Sequence, residues 1–153
     1  MKKIFVLFAI FAISFCAFAQ DVKSTGITDS DVKNWAKNCV SIKKEVEKLG
    51  VDDDASIYAA VNEKEKLENI LQKYGISGPN NIDKYVVIVK SATIVKAESE
   101  IDEESKALMQ MMKIDPIGDL KEDINEKDYK VVSSNSKAVI KAIDDLDNYN
   151  SSH

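Results

Sequence analysis

Apolar side chains recur every three or four residues between positions 28 and 49, and this spacing constrains the fold more than any other feature of the chain. Such a stripe covers one face of an α-helix, which must pack against another apolar surface. Thr28, Asp29 and Ser30 are candidate N-caps before it, and Gly50 follows it. The stripe consists of Val32, Trp35, Ala36, Cys39, Ile42, Val46 and Leu49. We therefore predict a long amphipathic helix here.

Two more stripes with the same spacing predict helices before Gly75 and near the C-terminus. Asp115-Pro116 has the pattern of a helix start, and Asn125 followed by Asp128 resembles a capping box. The run 133–136, which holds three serines and an asparagine, is a point where the last helix can break. The earlier stripe contains Ile57, Ala60, Val61, Leu67, Leu71 and Tyr74, and the last contains Tyr129, Val132, Ser136, Val139, Ile140, Ile143 and Leu146.

Residues 85–89 are β-branched and apolar, a composition that favours a strand. However, 79–81 form a plausible helix start, and Val131-Val132 is the only other β-like run that is available for pairing. One helical face also holds Ile82, Tyr85, Val86, Val89 and Ala92. We therefore predict a helix from 82, which either continues to 113 or restarts after Ser99.

These patterns predict an all-α fold, an antiparallel bundle of about four to five helices, because short connections join antiparallel neighbours. The helical domain is expected at 28–147. A flexible lead is expected at 20–27 and a disordered tail at 148–153.

The first nineteen residues have the features of a secretory signal peptide. Lys2 and Lys3 precede an apolar run at 4–15, and Ala17 and Ala19 predict cleavage before Gln20. The run is shorter than the roughly 20 residues that span a bilayer core. We therefore expect an exported protein, periplasmic or secreted, with no transmembrane segment in the mature chain. The alternative is a surface protein that is lipid-anchored through Cys16; it is disfavoured because lipoprotein signals place a small residue, not phenylalanine, before the modified cysteine.

The charge and the cysteine content of the chain limit which partners and which covalent links are expected. Two of the 21 basic residues lie in the leader, which leaves 19 against 26 acidic residues, a formal charge of −7 with no arginine. This balance argues against a nucleic-acid partner. Cys39 is the only thiol left after cleavage, so no internal disulfide forms. Its place on the first stripe predicts an inert core residue, with an intermolecular disulfide as the alternative.

No sequence pattern indicates a particular catalytic or metal-binding chemistry. The single histidine, His153, is terminal, which argues against serine–histidine catalysis and against metal sites that need imidazole. The consecutive acids at 52–54 lack the spacing of a calcium loop, and the acidic run from Glu98 to Glu104 is expected to be a solvated face. No cofactor or metal is predicted. An enzyme is not expected, and a carboxylate-based one is the form that remains open.

Met109, Met111 and Met112 form the one local enrichment with a functional character. Methionine commonly fills cores, but its flexible thioether also suits adaptable binding surfaces; copper is disfavoured because no histidine is nearby. We hypothesise that this region contacts a protein partner in the envelope or outside the cell, and that the protein is a non-enzymatic accessory module. The alternative is a helical carrier that holds a small apolar ligand in the bundle interior.

Overall fold

A computed structural model describes residues 22–49 and 63–152. All regular secondary structure in these ranges is helical, which confirms the all-α prediction. The predicted leader with Ala17, Ala19, Gln20 and Cys16, and the first part of the second stripe, lie outside the described residues. The described helices are α1 (Asp29–Glu47), α2 (Lys64–Lys73), α3 (Asn81–Glu100), α4 (Glu103–Met112), α5 (Pro116–Lys121), α6 (Glu126–Ser133) and α7 (Ser136–Asn150).

Helix α1 begins at a capping box between Thr28 and Asp31. The Asp31 backbone N–H donates to the Thr28 hydroxyl at 3.2 Å, and the Thr28 backbone N–H donates to the Asp31 carboxylate at 2.9 Å. This exchange satisfies two N–H groups that a helix start otherwise leaves unpaired. The predicted stripe lies in the core, with Val32 and Ile42 at 0% exposure and Trp35 at 1%. The capping box and the buried apolar stripe therefore both stabilise helix α1.

Residues 85–89 are helical and belong to α3, as predicted. Tyr85, Ile88, Ala92 and Val95 are buried along one side of this helix, so packing outweighs the β-propensity of the branched residues. The helix ends at Glu100, because Ile101 is extended and Asp102 caps the next helix. A second break at 134–135 separates α6 from α7. These two breaks raise the number of helices in the described chain to seven, above the predicted four to five.

Helices α1 and α7 run in the same direction. Residue numbers rise together along three hydrogen bonds between them: Asn135 to Asp29 at 2.8 Å, Cys39 to Ala142 at 3.5 Å, and Tyr149 to Glu47 at 2.8 Å. The contacts of α3 follow the same order. Lys84, near its start, pairs with Asp31 at 3.1 Å, and Lys96, near its end, pairs with Asp144 at 2.7 Å.

The predicted antiparallel arrangement is therefore wrong for the three longest described helices. The reason lies in the connections between them, which span 48–80 and 101–135 and hold helices of their own. Segments of this length can carry the chain from the end of one long helix back to the level at which that helix began, so the next long helix runs in the same direction. Only short turns force neighbouring helices to be antiparallel. Helix α4 lies on the second return segment.

Both ends of the described chain differ from the sequence prediction. In the predicted flexible lead, Ser24 and Thr25 donate three hydrogen bonds to the carboxylate of Asp128. Asp128 is thus 2% exposed and does not cap α6, although Asn125 does, by accepting from the Lys127 N–H. At the other end α7 continues to Asn150, into the predicted disordered tail.

Candidate partner-binding face on α4

The start of α4 is determined by its own first turn. Asp102 accepts a hydrogen bond from the backbone N–H of Ser105 at 2.7 Å, and hydrogen bonds from Ser105 hold the pKa of Asp102 below its usual value. Glu103 and Glu104 follow, where negative charge stabilises the positive end of the helix dipole. The start of α4 is therefore stabilised by local interactions in its own first turn.

The end of α4 requires an unusual backbone conformation. Lys113 has φ +54°, and it is the only non-glycine residue with positive φ in the described chain. The Lys113 N–H donates to Gln110 and the Ile114 N–H to Met109, both at 3.1 Å, the pattern of a Schellman motif. Helix α2 ends in the same pattern with Gly75, at φ +80°, in the left-handed position. A side chain in this conformation costs roughly 1–2 kcal/mol, so the residue that follows α4, Lys113, carries a local penalty.

None of the residues of α4 is buried. Leu108 is 56% exposed, Met111 82%, Met112 60% and Ile114, just beyond the helix, 48%. We call these four side chains the methionine face. Four of the five large apolar side chains that are exposed in the described chain belong to it, so this surface is a cluster and not scattered exposure.

The structure separates the three methionines that the sequence singled out. Met111 and Met112 lie on the methionine face, whereas Met109 is only half-buried and lies at its edge. Core filling is therefore the wrong interpretation for Met111 and Met112. Leu108 and Ile114 complete the face and were not among the predicted binding residues, although the spacing of Leu108, Met111 and Met112 already placed them on one side of a helix.

The position of α4 in the fold explains its exposure. Extensive helix packing in the described residues joins α1, α3 and α7 to one another and to α2, α5 and α6, and does not include α4. The break at 101–102 ends α3 before the apolar spacing of that helix reaches α4. As a result, the apolar side of α4 is not directed into the core that buries α3.

Carboxylates precede and follow the methionine face along the chain. Between 102 and 115 the chain holds four of them, Asp102, Glu103, Glu104 and Asp115, against two lysines, for a formal charge of −2. One lysine, Lys106, is 2.7 Å from Glu103. The other, Lys113, occupies the left-handed position at the helix end. The face is therefore an apolar patch with a net acidic border.

A polar cluster at Glu98 anchors the segment that carries α4. The Glu98 carboxylate binds the Lys121 ammonium and accepts a hydrogen bond from the Tyr129 hydroxyl, both at 2.5 Å, and the Lys121 ammonium lies 4.5 Å from the centre of the Tyr129 ring. Burial and the nearby Glu98 raise the pKa of Tyr129 above its usual value. The hydroxyl thus stays protonated and acts as a donor. Glu98 therefore joins α3 to α5 and α6 and is not part of the solvated face that the sequence predicted.

Three other features that can indicate a function are a metal site, a membrane-spanning helix and a reactive cysteine. No three histidine, cysteine, aspartate or glutamate side chains converge as metal ligands among residues 22–49 and 63–152. Within the same ranges, no helix combines the length and the apolar character that crossing a bilayer demands. Cys39 is 4% exposed, and burial raises the pKa of its thiol, which confirms the predicted core position.

Comparison with known proteins adds no family assignment. No family model, curated protein sequence or solved structure matches the chain. The residues of the methionine face and their surroundings are therefore the basis for a functional proposal.

Proposed function

We propose that the protein is an exported, non-enzymatic helical module that binds a protein partner in the cell envelope or outside the cell. The observation that carries the proposal is the methionine face, an exposed apolar cluster on a helix that packs extensively against no other described helix. Exposed apolar clusters with polar borders are typical of interaction sites in soluble proteins.

The composition of the face supports partner binding over a role in stability. Leu108, Met111 and Met112 follow the i, i+3, i+4 spacing by which a helix presents anchors to a groove. Methionine side chains are unbranched and polarisable, so they adapt to the shape of a partner. Met111 is 82% exposed and contributes little to the core, so the stability of the fold does not explain its presence.

The export part of the proposal rests on the leader, with Lys2 and Lys3 before an apolar run and cleavage predicted between Ala19 and Gln20. It places the partner in the envelope or outside the cell. The mass of the N-terminal peptide of the exported protein tests this point directly. A peptide that begins at Gln20 supports cleavage, whereas an acylated N-terminus at Cys16 means that the protein is lipid-anchored instead.

Comparative capture tests the binding role. The processed protein and the Met111→Ser/Met112→Ser variant are immobilised separately and exposed to envelope extract and culture medium from the source cells, and bound proteins are identified by mass spectrometry. Val22→Ser is the matched control, because Val22 is an exposed apolar residue, at 39%, on the N-terminal lead, where its carbonyl accepts a hydrogen bond from Asn125 and not from α4.

We expect a protein that the wild type and the Val22→Ser control capture and the double variant does not. The double variant should keep its free energy of unfolding within about 0.5 kcal/mol, because both side chains are exposed. Equal capture by all three proteins, or no specific capture by any of them, contradicts the proposal.

A further inference from the structure

We infer that the surface recognised by the methionine face is a cationic amphipathic helix of another protein. This inference rests on the proposed function and adds the chemistry of the partner. It rests on the carboxylates that lie before and after the exposed apolar residues of α4.

The exposed stripe of α4 has a carboxylate before it and another after it. Glu104 lies four residues before Leu108, on the same side of the helix, and Asp115 follows Ile114 directly. Neither carboxylate forms an ion pair with a residue that the structure describes, whereas Glu103 is paired with Lys106. Glu104 therefore stands at one end of the apolar stripe without an ion pair in the described structure. At the other end Asp115 is the N-cap of α5 and accepts a hydrogen bond from the Gly118 N–H at 2.8 Å, and Lys113 lies two residues before it, so the negative charge is strongest at Glu104.

The length of this arrangement matches one side of a helix. Residues 104–112 extend over about 12 Å at 1.5 Å per residue, and Asp115 lies beyond the turn at Lys113. A partner helix that packs along α4 meets both carboxylates with cations that are two to three turns apart. Between these cations it needs apolar residues at the spacing of three and four that matches Leu108, Met111 and Met112.

Charge disfavours the two other simple occupants of the face. A second copy of this chain brings the same acidic border, and like charges repel at an interface. An anionic lipid surface repels Glu104 and Asp115 in the same way, since such surfaces attract basic segments.

Fluorescence anisotropy with synthetic peptides tests the inference. The probe is a fluorescein-labelled leucine–lysine peptide with helical periodicity and a length of about five turns. A leucine–glutamate peptide with the same pattern is the charge-reversed control, and phosphatidylcholine vesicles represent a neutral lipid surface. The proteins are the processed wild type, Met111→Ser/Met112→Ser, Glu104→Lys/Asp115→Asn, and Glu65→Lys as an acidic surface control on α2. Asparagine at 115 removes the charge and keeps the N-cap of α5.

We expect the leucine–lysine peptide to bind the wild type and the Glu65→Lys control with similar Kd. The serine double variant should bind about tenfold more weakly, because two apolar anchors are lost. The Glu104→Lys/Asp115→Asn variant should bind at least about fivefold more weakly. Its affinity should also depend less on salt between about 50 and 300 mM, because the attraction at the border has been removed.

Several results overturn the inference. These are equal binding of the leucine–glutamate peptide, unchanged affinity in the Glu104→Lys/Asp115→Asn variant, or co-sedimentation of the wild type with the vesicles. If the capture experiment still depends on Met111 and Met112 in that case, the proposed function stands and only the chemistry assigned to the partner is wrong.

Discussion

The thiol of Cys39 on α1 lies 3.5 Å from the carbonyl oxygen of Ala142 on α7. This contact is the middle one of three that run along the two parallel helices, and both residues are buried. Burial raises the pKa of the thiol, so the reactive thiolate is scarce as well as inaccessible.

Cys39 should therefore react slowly with thiol reagents in the folded protein. With an aromatic disulfide reagent at pH 8, we expect labelling to be slower than in the urea-unfolded chain by roughly two orders of magnitude, because it requires opening of the α1–α7 contact. Absorbance at the wavelength of the released thiolate gives both rates. Rapid labelling of the folded protein, or a disulfide-linked dimer on a non-reducing gel, argues against this position of Cys39.

Ser91 on α3 offers a site at which stability can be increased. Its side chain is 0% exposed, and its hydroxyl has no hydrogen-bond partner in the described structure. Ser91→Ala removes an unsatisfied buried polar group and should raise the free energy of unfolding by about 1–2 kcal/mol. Urea unfolding, followed by circular dichroism at 222 nm, measures the change.

Ser99→Ala is the control on the same helix. Ser99 is exposed, and its hydroxyl donates to the Lys96 carbonyl at 2.6 Å. We expect this substitution to change the free energy of unfolding by less than about 0.5 kcal/mol. If Ser91→Ala lowers the stability instead, the hydroxyl of Ser91 has a partner and its burial is satisfied.

Asp128 should couple the N-terminal lead to α6. The Ser24 hydroxyl donates to it at 2.5 Å and the Thr25 N–H at 2.7 Å. Ser24→Ala should lower the free energy of unfolding by about 1 kcal/mol in the wild type, and by almost nothing in an Asp128→Ala background. A double-mutant cycle in urea gives the coupling energy. Equal effects in both backgrounds show that the lead is not held by this carboxylate.

Asp147, near the end of α7, should make stability depend on pH. Burial and the nearby Asp144 raise its pKa, while Lys96 opposes the shift. The folded protein therefore binds this proton more readily than the unfolded chain, so ionisation at neutral pH destabilises the fold. The negative end of the helix dipole adds to this effect.

Asp147→Asn should raise the thermal midpoint at pH 7. The gain should decline as the pH falls through the raised pKa and disappear below about 3.8, the ordinary value, where Asp147 is protonated in both states. Asp83→Asn, in the first turn of α3, should lower the midpoint at pH 7, because a negative charge there stabilises the helix start. Calorimetry at pH 7, 5 and 3.5 provides the comparison, and a gain for Asp147→Asn that is constant with pH contradicts the assignment.

Features set by local sequence were predictable from the chain alone. The capping residue Thr28 and the α1 stripe fix that helix, and the same stripe placed Cys39 in the core. Helical spacing also correctly predicted a helix at 85–89, although the composition of these residues favours a strand. These predictions succeed because capping and periodicity act within a few residues of one another.

Features set by distant contacts were not predictable in this way. Periodicity predicts which side of a helix is buried, but it does not predict the direction of one helix relative to another. The parallel orientation of α1 and α7 was therefore not predicted. The burial of Asp128 depends on a lead more than one hundred residues away. The exposure of α4 accompanies the break at Ile101, where Asp102 followed by Glu103 and Glu104 has the composition of a helix start.

Residue-resolved oxidation of the methionines tests the central claim most directly. The processed protein is treated briefly with dilute hydrogen peroxide, alone and with the captured partner, and the sulfoxide content of each methionine is measured by mass spectrometry. We predict that Met111 and Met112 oxidise faster than Met109 in the free protein and are protected in the complex. Slow oxidation of Met111 and Met112 in the free protein, or equal oxidation with and without the partner, contradicts the claim that this face is the binding surface.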